Sequence, residues 1–204
     1  MNLAVYCLLL VITGTPVLQS SVINAENAFS TGFSQQELNG LIEHNLFRAI
    51  HGVPDMTLNR TMCNAAALWA KEIAENGSLV HSDEDQRPGQ GENLSMGCSS
   101  DTPQTVKEAV DNWYNEVCNP GYEGLGEVDT GPMEAGHFSQ VIWKKSTKLG
   151  IGRAEIELNG MKCAFVVGRY EPAGNFIGTY RENVPKGTFD RATYCPRVAK
   201  KDVY

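Results

Sequence analysis

Four side chains of types that can move a proton or hold a metal ion lie where predicted secondary-structure elements begin or end. His137 opens the apolar stretch GHFSQVIW, and His81 lies in LVHSDEDQ, just after a helix stop. Glu92 follows two glycines in GQGENLS, and Glu116 lies in the last turn of a predicted helix. At such positions a rigid helix or strand holds the residue while its side chain has access to solvent. Each side chain could therefore be a ligand, a catalytic base or only a polar surface or capping residue. Their spacing alone does not join them into one site.

The other histidines and the serines carry weaker signals. His44 and His51 are seven residues apart and share a face of the first predicted helix, which favours polar helix positions or hydrogen bonds at the edge of the core. Ser95 and Ser139 lie in the same sequence blocks as two of the candidate residues. The sequence contains neither a G-x-S-x-G nucleophile elbow nor an H-E-x-x-H helix, so hydrolytic chemistry is the weaker alternative.

The elements that must position these residues begin with two predicted helices. SQQELNGLIEHNLFRAIHG opens with a capping box, Ser34 with Glu37, continues with apolar residues at helical spacing and stops at Gly52. DMTLN alternates apolar and polar residues and predicts a short strand. TMCNAAALWAKEIAENG predicts an alanine-rich helix that ends at Gly77.

A loop, a third helix and an acidic segment follow. Residues 81–101 are polar and glycine-rich and predict a loop. The third helix is predicted to start with Thr102 as its N-cap and Pro103 at its first position, and to end at the Asn-Pro-Gly of residues 119–121. Residues 119–136 form a glycine-rich acidic loop, after which HFSQVIW can form a short helix.

The clearest strand signal comes later in the chain. KLGIGRAEIELNGMKCAFVVGRY reads as two strands joined by Asn159-Gly160, a type I′ hairpin turn, and the apolar run CAFVV predicts a strand covered on both faces. Helices first and a hairpin later indicate an α+β domain with helices on both sides of an antiparallel sheet. We assign one domain to residues 34–195 and a short C-terminal tail to residues 196–204.

The N-terminus has the pattern of a secretory signal peptide. Residues 3–18 are apolar and uncharged, glycine and proline interrupt them too early for a membrane span, and small residues follow at Ser20 and Ser21. We therefore predict a signal peptide over residues 1–20 and a secreted, extracellular protein with no transmembrane segment.

The cysteines and glycosylation motifs agree with export. Six cysteines occur, and one of them leaves with the signal. The five that remain predict two disulfides and one free or intermolecular thiol, with connectivity left open. Sequons occur at Asn59, Asn76 and Asn93; the first two, near helix ends, are expected to be exposed and glycosylated, and Asn93 is expected to be unmodified.

The charge pattern narrows the classes of partner. The net charge is −7 and the basic residues are scattered, so the sequence favours neither nucleic acid nor simple electrostatic binding to anionic membranes.

Four blocks together resemble the CAP superfamily, which comprises the cysteine-rich secretory proteins, antigen 5 and the plant pathogenesis-related proteins. GHFSQVIW with KKSTKLGIG resembles the first family signature and RYEPAGNFIG the second, while HNLFR and GENLS are similar to two further blocks. The resemblance covers residues 36–186. The lack of a cysteine-rich C-terminal extension, and Gly168 where many members have cysteine, are most similar to the Golgi-associated plant-pathogenesis-related branch. Unlike that branch, this chain has a predicted signal and extra cysteines.

The resemblance implies a fold and a site. The family fold is a three-layer α-β-α sandwich, and family members place two histidines and two glutamates around one cleft. Those residues correspond here to His81, Glu92, Glu116 and His137. Imidazoles and carboxylates suit Zn²⁺ or another divalent cation, with the glutamates as ligands or as bases that hold water. The alternative is a structural hydrogen-bond network of two His–Glu pairs.

The resemblance also implies a binding protein more than an enzyme. Family members bind sterols and other lipids and act in defence, venom, fertilisation or host–parasite settings. Trp113, Tyr114 and Tyr122 could line an apolar groove or belong to the core. The alternative function is a metal- or serine-dependent hydrolase. We also expect that the protein can bind a protein partner and that it is a monomer or a weak dimer.

Overall fold

The computed structural model of the chain describes residues 32–130 and 134–198. The predicted signal peptide and residues 199–204 of the predicted tail lie outside the described residues. None of the helices described is long and apolar enough to cross a membrane. In chain order, the elements are α1 (Gln35–Ile50), β1 (Thr57–Leu58), α2 (Arg60–Glu75), a 3₁₀ turn (Glu84–Gln86), β2 (Gly91–Ser99), α3 (Val106–Asn115), a π-helical turn (Val117–Gly121), α4 (Gly136–Ile142), β3 (Lys148–Leu158), β4 (Met161–Glu171), α5 (Tyr180–Asn183) and α6 (Arg191–Val198).

The strands form one sheet in the order β1-β3-β4-β2. β3 and β4 pair antiparallel across the predicted hairpin, and β2 pairs antiparallel with the other side of β4. The turn residues Asn159 and Gly160 have φ values of 52° and 77°, which a type I′ turn requires, so the predicted hairpin is confirmed. The centre of the sheet is antiparallel, as expected, and the two-residue edge strand β1 runs parallel to β3.

Helices cover both faces of the sheet, which confirms the three-layer α-β-α sandwich. On one face α2 packs against β3 and β4, and on the other α1, α3 and α4 enclose the larger apolar cluster. The packing of α2 on β3 is close because β3 has glycine where the helix crosses the strand. A Cβ at Gly152 would lie 2.2 Å from the backbone of Ala66, and one at Gly150 would lie 2.5 Å from Met62. Alanines on the helix and glycines on the strand therefore let the two backbones approach each other.

Two sequence predictions about the middle of the chain are wrong. Residues 91–99, expected to be loop, form the edge strand β2. Its polar residues hid the strand pattern, since Glu92, Asn93 and Ser95 are buried and bind partners outside the strand. The third helix begins with Thr105 as its N-cap, not Thr102, because Thr105 and Glu108 form a reciprocal capping box.

The cysteines form two disulfides and one free thiol, as predicted for the part of the chain that the structure describes. Cys98–Cys163 joins β2 to β4, and Cys118–Cys195 joins the π-helical turn after α3 to α6. Cys63 is a buried residue of α2, and burial raises the pKa of its thiol to about 12. At neutral pH this thiol is therefore protonated and shielded from reagents.

The three sequon asparagines have different surroundings. Asn76, the C-cap of α2, is exposed. Asn59 is only half-buried rather than fully exposed, because its side chain caps the start of α2 by accepting a hydrogen bond from the Met62 N–H. Asn93 is buried, and its amide nitrogen donates two hydrogen bonds. Asn76 is therefore the most accessible of the three acceptors.

Candidate functional site

Glu116 and His137 form the first of two histidine–carboxylate pairs. Glu116 is the C-cap of α3, and its Oε1 lies 2.5 Å from Nδ1 of His137. Its Oε2 accepts hydrogen bonds from the backbone N–H groups of His137 at 2.9 Å and Phe138 at 3.2 Å. The N-cap of α4, Ala135, has no side chain that could satisfy these groups, so Glu116 caps α4 from another element. One carboxylate thus fixes both the helix and the imidazole that begins it.

Glu92 and His81 form the second pair. Glu92 Oε1 lies 2.7 Å from Nδ1 of His81 and accepts the Ser82 N–H at 3.0 Å, while Oε2 accepts the Ser82 hydroxyl at 2.9 Å. The Glu92 side chain is 1% exposed, but the His81 ring is 54% exposed. Burial alone would raise the pKa of Glu92, but the hydrogen bonds from His81 and Ser82 and the charge of Arg169 together lower it. The carboxylate is therefore ionised and acts as an acceptor at neutral pH.

Arg169 completes this second pair and was not singled out from the sequence. Its Nε lies 2.9 Å from Oε2 of Glu92, and its side chain is 2% exposed. Among the described residues, neither Nε nor Nη1 has a partner with hydrogen-bond geometry, so the contact with Glu92 is an ion pair rather than an aligned hydrogen bond. Arg169 is the first residue of the RYEPAGNFIG block, but its place opposite Glu92 arises from the pairing of β2 with β4, which no local sequence pattern reveals.

Asn93 connects the two pairs across the edge strand. Consecutive strand residues point to opposite faces, so Glu92 faces Arg169 and His81 while Asn93 faces the α4 side. Asn93 Nδ2 donates to the carbonyl of His137 and to the hydroxyl of Tyr170, both at 3.1 Å. The structure therefore brings the four predicted residues to the start of β2 as two separate pairs, which the Glu92-Asn93 dipeptide links.

His44 and His51 belong to the core edge, as the sequence indicated. His44 Nδ1 donates to the Gly40 carbonyl, and its Nε2 lies 2.9 Å from the Tyr170 hydroxyl. His51 lies between the Pro185 carbonyl and the Tyr114 hydroxyl. Burial lowers the pKa of each ring to about 4, so both are neutral at physiological pH.

Of the four predicted site residues, only the two histidines keep an atom free to bind a metal, which is Nε2 of His81 and of His137. Within residues 32–130 and 134–198, no three His, Cys, Asp or Glu side chains gather as a ready ligand set. The oxygens of both glutamates already face protein N–H or hydroxyl groups. Because an ionised carboxylate only accepts hydrogen bonds, the neutral form of each paired imidazole carries its proton on Nδ1 and its lone pair on Nε2. A carboxylate behind an imidazole is a common arrangement around bound metals, so each histidine has one Nε2 lone pair of the kind that Zn²⁺ accepts.

The residues weighed for lipid binding and hydrolysis have structural roles. Trp113, Tyr114 and Tyr122 are all buried in the core, although Tyr122 also lies at the wall of an open cavity beside Leu125 and Phe189. The hydroxyl of Ser95 donates to Gln104, and that of Ser139 lies 2.7 Å from Asn175 Oδ1 and 3.1 Å from the Gly136 carbonyl oxygen. The hydrogen bonds of the four histidines in the described structure go to carboxylates, carbonyls and tyrosine hydroxyls, and none goes to a serine.

Comparison with known sequences defines the class of protein. Residues 41–170 match the family model described as "CAP: Cysteine-rich secretory protein family", and the chain belongs to this family. The matched range contains His81, Glu92, Glu116 and His137, while α6 lies beyond it.

Individual relatives come from animals, fungi and plants. The chain is 36% identical over 143 residues to human Golgi-associated plant pathogenesis-related protein 1, a match that covers 69% of this chain and 86% of that protein. It is 34% identical over 138 residues to pathogenesis-related leaf protein 4 of Solanum lycopersicum, covering 68% of this chain and 78% of the relative. The match to secreted protein RBT4 of Candida albicans, at 36% identity over 149 residues, covers 73% of this chain but only 37% of that longer protein.

Solved structures show the same fold. BmVAL-1 superposes with a TM-score of 0.59 at 23% identity, over 71% of this chain and 80% of that one. The crystal structure of NaASP2 with Zn²⁺ superposes with a TM-score of 0.54 at 24% identity, over 81% and 91%. At this level of identity, the likeness establishes the fold alone.

Proposed function

We propose that this chain is a secreted CAP-family binding protein whose two His–Glu pairs hold a divalent cation such as Zn²⁺ through Nε2 of His81 and His137. The observation that carries the proposal is the shared geometry of the pairs. In each, a carboxylate lies within hydrogen-bond distance of Nδ1, at 2.7 Å and 2.5 Å. Both side chains are partly exposed, at 54% and 36%, and a cation needs such access from solvent.

The glutamates act in this proposal as orienting groups and not as ligands. Zn²⁺ requires a neutral imidazole, and the hydrogen bond to Glu92 or Glu116 selects the tautomer whose lone pair is on Nε2. Two protein ligands leave positions for water or a partner, and the bound ion would supply a positive charge for an anionic or carbonyl oxygen. The related fold of NaASP2, whose structure is described with Zn²⁺, supports this choice of ion.

Calorimetry with Zn²⁺ tests the proposal. We expect the wild-type chain to bind zinc with release of protons and to bind more weakly as the pH falls, because protons compete for Nε2. His81→Ala with His137→Ala should abolish this binding and leave the circular dichroism spectrum unchanged, since the core lies elsewhere. Asp83→Ala with Asp85→Ala is the matched control for non-specific binding by exposed acids near His81. Equal affinity and proton release in the histidine double variant would exclude the pairs as the site.

Export and a role in defence or host interaction form the cellular part of the proposal. The two disulfides fit an oxidising compartment. Relatives whose names include secreted, pathogenesis-related and venom allergen proteins support the same setting. N-terminal sequencing of material from the culture medium should find a chain that begins near Ser20 or Ser21, and secreted chains that still begin at Met1 would contradict the signal peptide.

Lipid or sterol binding is a second candidate, which one exposed loop favours. Phe176 and Ile177 are 59% and 83% exposed in the loop that follows β4, a large apolar surface for two adjacent residues. Flotation with neutral phosphatidylcholine vesicles, with and without cholesterol, should recover the wild-type chain and lose Phe176→Ser with Ile177→Ser. Leu68→Ser, at a 71% exposed leucine on α2, is the control, and equal loss in that variant would contradict a specific loop contact.

A further inference from the structure

The last helix, α6, is attached to the turn that carries Glu116. Arg191, the first residue of α6, donates from Nη2 to the Val117 carbonyl at 2.7 Å and to the Tyr122 carbonyl at 3.2 Å. Its Nη1 donates to the Cys118 carbonyl at 3.4 Å. The disulfide Cys118–Cys195 joins the same turn to the same helix, with the two Cα atoms 5.5 Å apart. The Arg191 guanidinium and the Cys118–Cys195 disulfide thus both attach α6 to the turn that follows α3.

This segment needs external partners because it is the open end of a helix. α3 ends at Asn115, and the last carbonyls of a helix have no partner within the helix. Two backbone hydrogen bonds close the turn, from Gly121 N–H to the Glu116 carbonyl at 2.9 Å and from Tyr122 N–H to the Val117 carbonyl at 3.3 Å. The Arg191 guanidinium binds carbonyls that follow α3, those of Val117, Cys118 and Tyr122. Its positive charge at this end of the helix also complements the dipole of α3.

Glu116 lies between α3 and this turn, so the position of its side chain depends on both. Glu116 immediately precedes Val117, and its carboxylate makes a 2.5 Å contact with His137 and caps α4. A displacement of the turn by about 1 Å would take that contact beyond ordinary hydrogen-bond distance. His81 has no such dependence, because Glu92 is held by β2, Ser82 and Arg169.

We propose that α6 is a clamp in which Arg191 and Cys195 are positioning residues for the Glu116–His137 pair. Docking of α6 holds the Val117–Gly121 turn and, through it, the orientation of the His137 imidazole. This inference rests on the cation site proposed above. It adds that α6, which lies beyond the matched residues 41–170, holds one of the two histidines in place. In metal-free protein it makes a prediction of its own, because the hydrogen bond on His137 Nδ1 forms whether or not a cation binds.

Nuclear magnetic resonance of the metal-free protein tests the clamp. Imidazole nitrogen shifts report the tautomer, and the exchange rate of the Nδ1 proton with water reports the hydrogen bond to the carboxylate. In Arg191→Gln, and separately in Cys118→Ser with Cys195→Ser, we expect the His137 Nδ1 proton to exchange about tenfold faster, the factor that corresponds to losing a hydrogen bond worth about 1.4 kcal/mol. The His81 proton, measured in the same sample, should be unchanged.

Two controls separate positioning from general stability. Cys98→Ser with Cys163→Ser removes the other disulfide, and Arg197→Gln removes a different arginine of α6 that lines a separate cavity beside Glu43 and Asp111. Both should leave the His137 proton unchanged even if the melting temperature falls. An unchanged His137 signal in Arg191→Gln overturns the proposal, and this variant decides the matter if the cysteine variant does not fold.

Zinc titration then distinguishes this proposal from the proposed function. If the wild-type chain binds zinc, Arg191→Gln should bind it about tenfold or more weakly, as is usual when an orienting group around a metal is lost. If the wild-type chain does not bind zinc but His137 still depends on Arg191, the metal function fails and the clamp stands. If zinc binds and its affinity is unchanged in Arg191→Gln, the clamp fails and the metal function stands.

Discussion

The two buried histidines should make the fold sensitive to mild acid. Burial lowers the pKa of His44 and of His51 from 6.5 to about 4. Between these values the unfolded chain binds more protons than the folded one, so the free energy of unfolding decreases as the pH falls through this window. Applying the linkage relation from about pH 7 to about pH 5 gives a loss of about 2 kcal/mol for each histidine, or about 4 kcal/mol for both.

Urea unfolding of paired variants measures this loss. The double variant His44→Gln with His51→Gln should be less stable than the wild type at neutral pH. Between about pH 7 and about pH 5, however, its free energy of unfolding should fall by about 4 kcal/mol less than that of the wild type. The carboxylates titrate in both proteins, so the difference isolates the histidines. Tyr170→Phe removes the hydroxyl beside His44 Nε2 but keeps both titrating rings, and it should retain the wild-type pH dependence. An equal loss in the double variant and the wild type would refute the burial argument.

Three further predictions concern packing and modification. Gly160→Val should lower the melting temperature, with a loss of about 1–2 kcal/mol, because a β-branched residue is strained at a φ of 77°; an unchanged melting temperature would argue against the turn. Gly152→Ala should cost about 1–3 kcal/mol in denaturant unfolding, because its Cβ would overlap the backbone of α2, and full stability would show that the helix can move away freely. Peptide mapping of secreted protein should find glycan on Asn76 and none on the buried Asn93; a glycan on Asn93 would contradict the placement of β2.

Local chemistry in the sequence was enough to predict much of the scaffold. The capping box of Ser34 and Glu37, the alanine-rich second helix and the Asn159-Gly160 turn each depend on residues within a few positions of one another. Such interactions form wherever the segment lies, so they can be deduced before the fold is known. The four sequence blocks then indicated the family and, with it, the residues of the candidate site.

Tertiary structure decided how those residues are used. β2 carries polar residues that only its neighbours satisfy, and for this reason its sequence resembled a loop. The pairing of each histidine with its glutamate, the ion pair of Glu92 with Arg169 and the contacts of Arg191 join residues 11 to 77 positions apart. Contacts over such separations exist only after the sheet has paired and the helices have packed on it, because a side chain of a few ångströms reaches its partner only when the folded backbones bring the two together.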